Sequence, residues 1–382
     1  MTKSASETAE VREGLEGVLV TKTRLSHVDG ERGRLIVAGR DVEELSRTHS
    51  FEAAVALLLS AAGEDVVVAS VERALAEGRA KAFARLSTLG DALSRRDAMD
   101  ALRAAVAHLP EESAREEIIA SVAVFGAAWA RLRTGAAPMA PPTGASHAEA
   151  LLAMLGGARD ASRVRALDAY LVTVMDHGLN ASTFAARVVA STGSDLVSAV
   201  VAGIGALKGP LHGGAPGPVL EMLTAIGTRE RAASYLEAEL AAGRRIMGMG
   251  HRIYRQRDPR ALVLERAIEE LESALARATA SADGALDQSA RDRLSLARAV
   301  EAQAERLLEQ RQPGRNLRAN VEFYTAVLLS ALEVPSELFA AVFAAARSAG
   351  WVAHVIEQRR QSRLIRPGAL YIGELPNRAD QT

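Results

Sequence analysis

The sequence contains no cysteine and few aromatic residues, and these shortages exclude several kinds of site and make a β-rich fold improbable. Without cysteine, the 382-residue chain has no disulfide, no thiolate metal site and no cysteine nucleophile. Aromatic residues make up only 4% of the chain, and the strand-forming alternation that they usually accompany is hard to find. The net charge is −1, so no basic excess favours nucleic acid or an anionic membrane as a partner.

Long apolar runs and metal-ligand spacings are also scarce. Apolar stretches such as Ala53–Leu59 and Val197–Leu207 are too short to span a bilayer, and residues 1–13 lack the apolar run of a signal peptide. There is no HExxH, CxxC or clustered histidine pattern, so we expect no metal site. A chain of this kind, without cysteine, is predicted to be soluble and cytoplasmic.

The residues that are abundant predict a helical protein. Hydrophobic residues are 48% of the chain and charged residues 24%, which allows a large core and excludes wholesale disorder. Alanine, leucine, glutamate and arginine dominate, and all have high helix propensity. We expect an all-α fold with one short β-ribbon around Arg34–Val37. Helices are predicted at Phe51–Ser60, Ala98–His108, Ser113–Arg133, Val164–Met175, Leu196–Leu207, Pro218–Ile226, Glu230–Ala242, Pro259–Ala274, Ala290–Gln310, Val321–Leu332 and Ser336–Gln361.

Local signals predict where these helices begin and break. Ser113 and Glu116 form a capping-box pattern at one helix start. Gly350 is expected to break the last helix. Residues 135–144 and 209–218, rich in glycine and proline, predict irregular connections. The polar stretch Ser281–Gln288 predicts a mobile loop.

Three of the eight histidines, His177, His212 and His251, lie beside glycines where the helical pattern breaks. Glycine lets backbone and ligand approach closely, and histidine handles protons near neutral pH. For His177, a buried histidine bonded to a backbone carbonyl is the competing interpretation. Asn180 and Ser182 add polar groups to a core-like stretch, which favours a site.

His212 precedes a predicted helix, whose N-terminus offers positive potential. That potential disfavours protonation and leaves a neutral imidazole, which is the hydrogen-bond donor that an enol intermediate needs. An exposed histidine in a glycine-rich turn is the alternative. Before His251, Gly248 and Gly250 expose backbone N–H groups that suit a nucleotide or phosphate, but the segment is neither a P-loop nor a Rossmann turn.

Charged residues at helix ends complete the candidate set. Arg260, Arg347 and Arg366 each lie at a helix end or break, and guanidinium groups at such positions suit a dicarboxylate or tricarboxylate. Glu322 stands beside two aromatics, where a raised pKa would suit a base. Its position alone favours the alternative, an acid stabilised by the helix dipole. These residues indicate an enzyme that manipulates a carbonyl group of an acidic substrate.

Seven segments in order resemble the citrate synthase family, from about Thr21 to the region of Gly373. They are HVDG through GRD near the start, then DHGLNASTF, LKGPLHGGA, GMGHRIY with DPRA, NVEFY, FAAARSAGWVAHVIEQ and IRPGALYIG. The resemblance implies a homodimer that condenses oxaloacetate with acetyl-CoA to give citrate and free CoA, as in the tricarboxylic acid cycle. A coenzyme A thioester is then a co-substrate, and no permanently bound cofactor or metal is expected.

The resemblance also implies a role for each candidate residue. His212, His251 and Glu322 would be catalytic: His212 bonds the thioester oxygen, Glu322 removes the α-proton and His251 polarises the ketone of oxaloacetate. Substrate binding would fall to His177, His251, Arg260 and Arg347, with Arg366 reaching into the partner's active site. Coenzyme A would be held by Gly248, Met249, Gly250, Arg255 and Asn320.

The implied architecture has two lobes. Residues 1–17 are expected to be a disordered or extended tail, 18–217 with 334–382 a large helical domain that carries the dimer interface, and 218–333 a smaller domain that closes over the substrates. Closure would exclude water until condensation is complete.

One position departs from the family, which usually has aspartate where this chain has Glu322. A misplacement of about 1 Å costs on the order of a hundredfold in rate. A local backbone retreat, a different acyl group and a weak activity are the explanations, in that order. Two alternatives to citrate synthesis therefore stay open: a 2-methylcitrate synthase that uses propionyl-CoA, and a catalytically silent paralogue with a binding or regulatory role.

Overall fold

Fifteen α-helices follow a small β-ribbon in the part of the chain that the computed structural model describes, residues 11–15, 17–212, 216–251, 253–279 and 285–374. The strands are β1 Ser26–Asp29, β2 Arg34–Val37 and β3 Arg40–Asp41. The first helices are α1 Val42–Thr48, α2 Phe51–Ala61, α3 Val68–Arg85, α4 Ala98–Val106, α5 Arg115–Arg133, α6 His147–Leu155, α7 Ala161–Val174 and α8 Ala181–Ser191. The remaining helices are α9 Leu196–Leu207, α10 Pro216–Ile226, α11 Ala232–Ala241, α12 Pro259–Thr279, α13 Ala285–Arg311, α14 Val321–Ala331 and α15 Phe339–Gln361.

The β-ribbon is antiparallel and has the order β1-β2-β3, with Val28 opposite Leu35 and Ile36 opposite Asp41. Alternate side chains of β2 turn inward, so Leu35 and Val37 are buried. This confirms the strand predicted at Arg34–Val37. The ribbon also reaches the loop that contains His177, because the Ser26 hydroxyl accepts a hydrogen bond from the Gly178 N–H at 2.9 Å.

Helices α5 and α15 form the centre of the fold. Both are buried around most of their circumference, and α15 packs against α5, α7, α8 and α9. The sequence predicts that no apolar stretch is long enough to span a bilayer, but Ser336–Gln361 is long and apolar enough by length and composition. In the structure, 83% of its most apolar window is buried inside the protein. A helix surrounded by other helices needs no polar face, and this explains its composition.

All eleven predicted helices are present, with ends that differ by a few residues. Four helices were missed: α1, α3, α6 and α8. Helix α8 was missed because it begins at the polar residues that suggested a site. Its N-cap is Asn180, whose side chain accepts from the Thr183 N–H.

The capping box predicted at Ser113 and Glu116 is wrong. Helix α5 begins at Arg115 with Ala114 as its N-cap, and no side chain caps it. The Ser113 N–H bonds to the Pro110 carbonyl in a turn, while the Glu116 carboxylate pairs with the Arg115 Nε at 2.7 Å. Competing local partners have therefore displaced the capping pattern.

The predicted break at Gly350 is also wrong, because α15 is continuous through this residue. The glycine serves close packing instead. A Cβ at this position would lie 2.3 Å from the Met175 carbonyl oxygen and 3.0 Å from the Asp176 Oδ1. A single glycine weakens a helix interior by only about 1 kcal/mol, which the burial of α15 offsets.

The mobile loop predicted at Ser281–Gln288 is contradicted in part. Residues 281–284 lie outside the described residues, but Ala285–Gln288 belong to α13. Charged and polar residues there are compatible with a helix, since helix formers such as Leu286 and Gln288 are interspersed among them. Polarity alone was a poor predictor of a loop.

We predict that Gly350→Ala lowers the free energy of unfolding by about 1–3 kcal/mol, because the added methyl must displace backbone. Denaturant unfolding monitored by circular dichroism measures this change. Gly205→Ala is the matched control: Gly205 is also helical, in α9, and a Cβ there meets nothing within 4 Å. The control should stabilise the protein by about 0.5–1 kcal/mol. Equal effects of the two substitutions would contradict the packing argument.

Candidate active site

The loop between α7 and α8 brings His177 into the protein interior. His177 is 7% exposed, and its Nε2 lies 3.0 Å from the Tyr254 hydroxyl. Its ring also makes an edge contact with the His251 ring, with centroids 5.8 Å apart. Burial first, and then the positive charges of Arg260 and Arg347, hold the pKa of His177 well below its usual value. The imidazole is therefore neutral at neutral pH.

The backbone fixes the tautomer of His251. Its Nδ1 accepts hydrogen bonds from the N–H groups of Ile253 at 3.0 Å and Tyr254 at 3.1 Å. Burial and Arg260 lower the pKa of His251 to about 4, so the ring is neutral and its single hydrogen lies on Nε2. The nearest polar neighbour of Nε2 is the Arg260 Nη2 at 3.3 Å, and that nitrogen is also a donor.

The Nε2–H of His251 and the Nη2 of Arg260 are two hydrogen-bond donors that face each other, so only an acceptor can satisfy both. The Nε2–H of His251 and the guanidinium of Arg260 cannot bond to one another, and both need an oxygen acceptor. A carboxylate or ketone oxygen placed between them would satisfy both groups. The geometry therefore defines a site for an oxygen-rich anion.

Asp258 holds Arg260 in place. The carboxylate accepts from the Arg260 Nε at 3.0 Å and Nη2 at 2.8 Å, and its Oδ2 also accepts from the Val321 N–H at 3.1 Å. Burial disfavours the charged guanidinium, but Asp258 more than offsets this and raises the pKa of Arg260. Because Val321 begins α14, one carboxylate fixes both a substrate arginine and the helix that carries Glu322.

Arg347 supplies a second buried cation, from α15. Its Nε donates to the Val174 carbonyl at 2.7 Å, and the guanidinium lies 4.6 Å from the centroid of the Phe343 ring. Within the described residues its terminal nitrogens make no hydrogen bond. Burial lowers the pKa of Arg347 to about 10, the nearby Arg260 adds to that effect and Asp176 opposes it. The group stays charged at neutral pH and has two nitrogens free for an anion.

His212 is held by the N-terminus of a helix, as expected, but the helix in contact is α8. The Ser182 N–H donates to its Nε2 at 3.3 Å, and the Ser182 hydroxyl lies 2.8 Å from the same nitrogen. Burial and Arg347 lower the pKa of His212 to about 4. With Nε2 accepting, the hydrogen of the neutral ring lies on Nδ1. Residues 213–215, which connect His212 to α10, lie outside the described residues.

Glu322 lies in the first turn of α14 and is partly buried. Burial raises the pKa of its carboxyl group; Asp258 adds to this, while Arg260 and Arg347 oppose it. A raised pKa makes a carboxylate a stronger base. Glu322 thus has both features that the sequence suggests: the first-turn position of an acid that the helix dipole favours, and the buried environment that suits a base.

The segment predicted to hold coenzyme A is pinned to the start of α14. Met249 pairs with Ala319 in a β-bridge, and the Asn320 N–H bonds to the Gly248 carbonyl at 3.0 Å. The Asn320 side chain caps α14 and donates to the Gly250 carbonyl at 2.9 Å. Asn320 therefore orders the segment rather than presenting a free amide to a ligand. Arg255 is exposed, and its N–H bonds to the Gly30 carbonyl.

Arg366 is the one predicted site residue that the chain does not bring to the others. It is exposed and lies beyond the end of α15, in a C-terminal segment that packs near Leu15 and Phe184. Within the described residues no hydrogen bond or ion pair connects it to the site.

Several residues of the site escaped the sequence analysis. Tyr254, Asp258 and Trp351 lie in segments that resemble the family, but no sequence pattern predicts a role for them. The Trp351 Nε1–H donates to the Ser182 hydroxyl at 3.1 Å. The signal for Asp258 was its position two residues before Arg260 at a helix start. Among the described residues, no group of three or more histidine or acidic side chains is placed to hold a metal ion.

A helical fold in which buried arginines and neutral histidines converge on one anion site is typical of an enzyme for small polycarboxylates. The family model described as "Citrate synthase, C-terminal domain" matches residues 14–368. The chain is 36% identical over 386 residues to a citrate synthase of Haloferax volcanii, a match that covers 96% of each chain. This chain belongs to the citrate synthase family, whose members are acyltransferases.

Two further relatives place the chain within that family. It is 44% identical over 220 residues to a protein of Mycobacterium tuberculosis named "Putative citrate synthase 2", and the match spans 58% of this chain but only 54% of that protein. A citrate synthase of Thermoplasma acidophilum, solved as a ternary complex with carboxymethyl coenzyme A and oxaloacetate, superposes with a TM-score of 0.82 at 26% identity. That likeness covers 97% of this chain and 98% of the other.

We predict that Asp258→Asn lowers the free energy of unfolding by about 3–5 kcal/mol, because it leaves the buried charge of Arg260 unpaired. Chemical denaturation of the two proteins at neutral pH measures the difference. Glu239→Gln is the control, since the Arg244–Glu239 pair has similar distances of 2.6 and 2.8 Å but an exposed arginine. The control should show no measurable loss. A similar small loss for Asp258→Asn would mean that Arg260 is not held by charge.

Proposed function

We propose that this chain condenses oxaloacetate with acetyl-CoA and hydrolyses the resulting citryl thioester to citrate and free CoA. The observation that carries the proposal is the pair of facing donors, His251 Nε2–H and Arg260 Nη2, 3.3 Å apart. They need an oxygen acceptor between them, and the free nitrogens of Arg347 lie on the same site. The known ternary complex of a relative with oxaloacetate and a coenzyme A analogue supports the same assignment.

Oxaloacetate would bind through both arginines and both neighbouring histidines. The carboxylates would pair with Arg260 and Arg347, while His177 adds a neutral polar contact. The Nε2–H of His251 would point at the ketone oxygen, polarise the carbonyl and give up its proton as the new C–C bond forms. Its depressed pKa keeps the ring neutral. The N–H of a neutral imidazole is a very weak acid, so the proton would move only as negative charge develops on the oxygen, and the resulting imidazolate would lie beside Arg260 until a proton is returned to it.

Enolisation would use His212 and Glu322 together. Glu322 would remove the α-proton of the thioester, and the Nδ1–H of His212 would donate to the thioester oxygen as it becomes enolic. A thioester α-proton is far too weak an acid for a carboxylate in water, so stabilisation of the enol oxygen by a fixed donor is essential. The enol carbon then attacks the ketone carbon, and water later cleaves the thioester to release the CoA thiol.

Coenzyme A, the second protomer and the lobe motion belong to the same proposal. Gly248, Met249 and Gly250 would lie along the coenzyme, with Arg255 beside its phosphates and Asn320 keeping the segment in place. The smaller lobe, residues 218–333, would close on the larger one. The family resemblance and the absence of cysteine support a role in the tricarboxylic acid cycle and a cytoplasmic location.

The C-terminal segment supports the proposed homodimer. Leu364 is 58% exposed, Tyr371 68% and Ile372 92%, although they lie close together in sequence. Exposed apolar side chains at this density are typical of a surface that a partner covers. A second protomer would bury them and would receive Arg366 in its active site.

Glu322 is the specific observation that favours the two alternatives. A base one methylene longer than the usual aspartate would suit either a different thioester, such as propionyl-CoA, or a protein that has lost turnover. The decisive assay measures CoA release from acetyl-CoA and from propionyl-CoA, each with and without oxaloacetate. We expect oxaloacetate-dependent release with a higher kcat/KM for acetyl-CoA. A higher kcat/KM for propionyl-CoA indicates methylcitrate synthesis, and no release from folded dimer indicates the silent paralogue.

We predict that Glu322→Gln lowers kcat by a factor on the order of 10²–10⁴, which is the usual contribution of a general base. Oxaloacetate affinity, measured by calorimetry, should stay the same because the arginines are untouched. Glu322→Asp is the matched control: it keeps the carboxylate but withdraws it by about a bond length, so its kcat should fall between the other two. Full turnover by Glu322→Gln would exclude this residue as the base.

We predict that an inactive Glu322→Gln protomer and an impaired Arg366→Ala protomer complement each other in a heterodimer. One of its two sites then combines an intact Glu322 with an intact Arg366 from the other protomer, so about half of the wild-type activity should return. Two affinity tags isolate the heterodimer for the assay. If Arg366 served its own protomer, both sites would be defective and no activity would return.

A further inference from the structure

A buried polar network lies behind the anion site, and the proposed reaction does not use it. At its centre is Arg187 of α8, a fully buried arginine. Its guanidinium donates to the Glu357 Oε2 at 2.7 Å, the Gln358 Oε1 at 2.9 Å, the Thr21 Oγ1 at 3.1 Å and the His354 Nδ1 at 2.9 Å. A buried arginine with this many partners is a rigid donor whose direction is fixed.

Arg187 determines the tautomer of His354. A guanidinium only donates, so the His354 Nδ1 must accept and the neutral ring carries its hydrogen on Nε2. That Nε2 lies 3.1 Å from the Asp176 Oδ1, and both side chains are buried. Arg187, His354 and Asp176 thus form a directed chain of hydrogen bonds from α8 through α15 to the loop that contains His177.

The chain ends on the group that balances the charge of Arg347. Burial alone would raise the pKa of Asp176, but hydrogen bonds from His354 and the Ser26 hydroxyl and the positive charge of Arg347 lower it. Its negative charge in turn favours the charged form of Arg347. The two residues are also tied through the backbone, because Arg347 donates to the Val174 carbonyl two residues before Asp176.

We propose that His354 is a positioning residue for the oxaloacetate site. His354 accepts a hydrogen bond from Arg187 and donates one to Asp176, and in this way it holds the loop of residues 174–178 against α15. It thereby fixes the orientation of Arg347 and of the neighbouring His177. This inference rests on the proposed function only in naming oxaloacetate as the anion. The role is indirect, since His354 is buried behind these residues.

The same network joins other parts of the chain to the site. The Glu357 Oε1 accepts from the Arg24 N–H at 2.8 Å, and the Gln358 Nε2 donates to the Arg363 carbonyl at 3.0 Å. The segment that leads into β1 and the segment that leads to Arg366 are thereby anchored at the base of α15. A substitution of His354 would affect oxaloacetate binding most, because Asp176 is its only partner in the site loop among the described residues.

The test compares substitutions at His354 that keep or remove its two hydrogen bonds, the one accepted from Arg187 and the one donated to Asp176. His354→Gln has an amide oxygen that can accept from Arg187 and an N–H that can donate to Asp176. His354→Leu removes both bonds and leaves Arg187 and Asp176 each without one partner. The measurements are the dissociation constant for oxaloacetate by calorimetry and the KM values for both substrates.

We expect His354→Leu to weaken oxaloacetate binding by about tenfold or more, as follows from leaving buried polar groups unpaired. The KM for acetyl-CoA should change by less than about twofold, and His354→Gln should recover most of the oxaloacetate affinity, since it restores both bonds. If His354→Leu does not fold, His354→Asn, which is too short to reach both partners, carries the same expectation.

Two results would overturn the proposal. One is an equal loss of affinity for both substrates, which would show a general structural role. The other is wild-type oxaloacetate binding in a folded His354→Leu or His354→Asn variant. Because calorimetry needs no turnover, a wild-type protein that binds oxaloacetate but releases no CoA would refute the proposed reaction and leave this test intact.

Discussion

The carboxylate of Asp258 is the contact on which the catalytic half of the site depends. It receives three hydrogen bonds from Arg260, two from the guanidinium and one from the backbone N–H, and a fourth from the first N–H of α14. It therefore sets the distance between a substrate cation and the helix of the proposed base. Removing a carboxylate from water is costly unless its partners satisfy it well. Here four donors do so, and the carboxylate in turn stabilises the buried charge of Arg260.

Around this contact, the protein balances fixed charges against groups that it keeps neutral. Arg260 and Arg347 stay charged at neutral pH, while His177, His212 and His251 all have pKa values pushed below the ordinary histidine range. Histidines that are neutral can donate a hydrogen bond without competing with the arginines for an anion. In the proposed reaction, the charged arginines would therefore bind the substrate, while the neutral histidines and Glu322 would transfer protons.

Sequence reasoning was most successful where a pattern has a single physical cause. High helix propensity predicted eleven helices, and glycine-flanked histidines identified three residues that do meet in space. It failed where a contact outside the pattern decides the outcome. Gly350 is required by a tertiary contact with the Met175 carbonyl, and the Ser113 N–H bonds to the Pro110 carbonyl in a local turn. No periodicity reveals that Ser182, rather than a residue near His212 in sequence, sets the tautomer of that ring. Arg366 remains a prediction, since its proposed target is another protomer.

The double use of Asn320 has a mechanical consequence. Its side chain caps α14 and also holds the Gly250 carbonyl, while its N–H holds Gly248, so the glycine segment and the start of α14 form one unit. In the proposed reaction, a thioester lying along that segment would keep a constant distance from Glu322 however the lobes move. Hinge motion would then change the distance from this unit to His212 and Arg347, which belong to the larger lobe. The base would thus face the thioester before closure, and closure would add the hydrogen-bond donor that the enol oxygen needs.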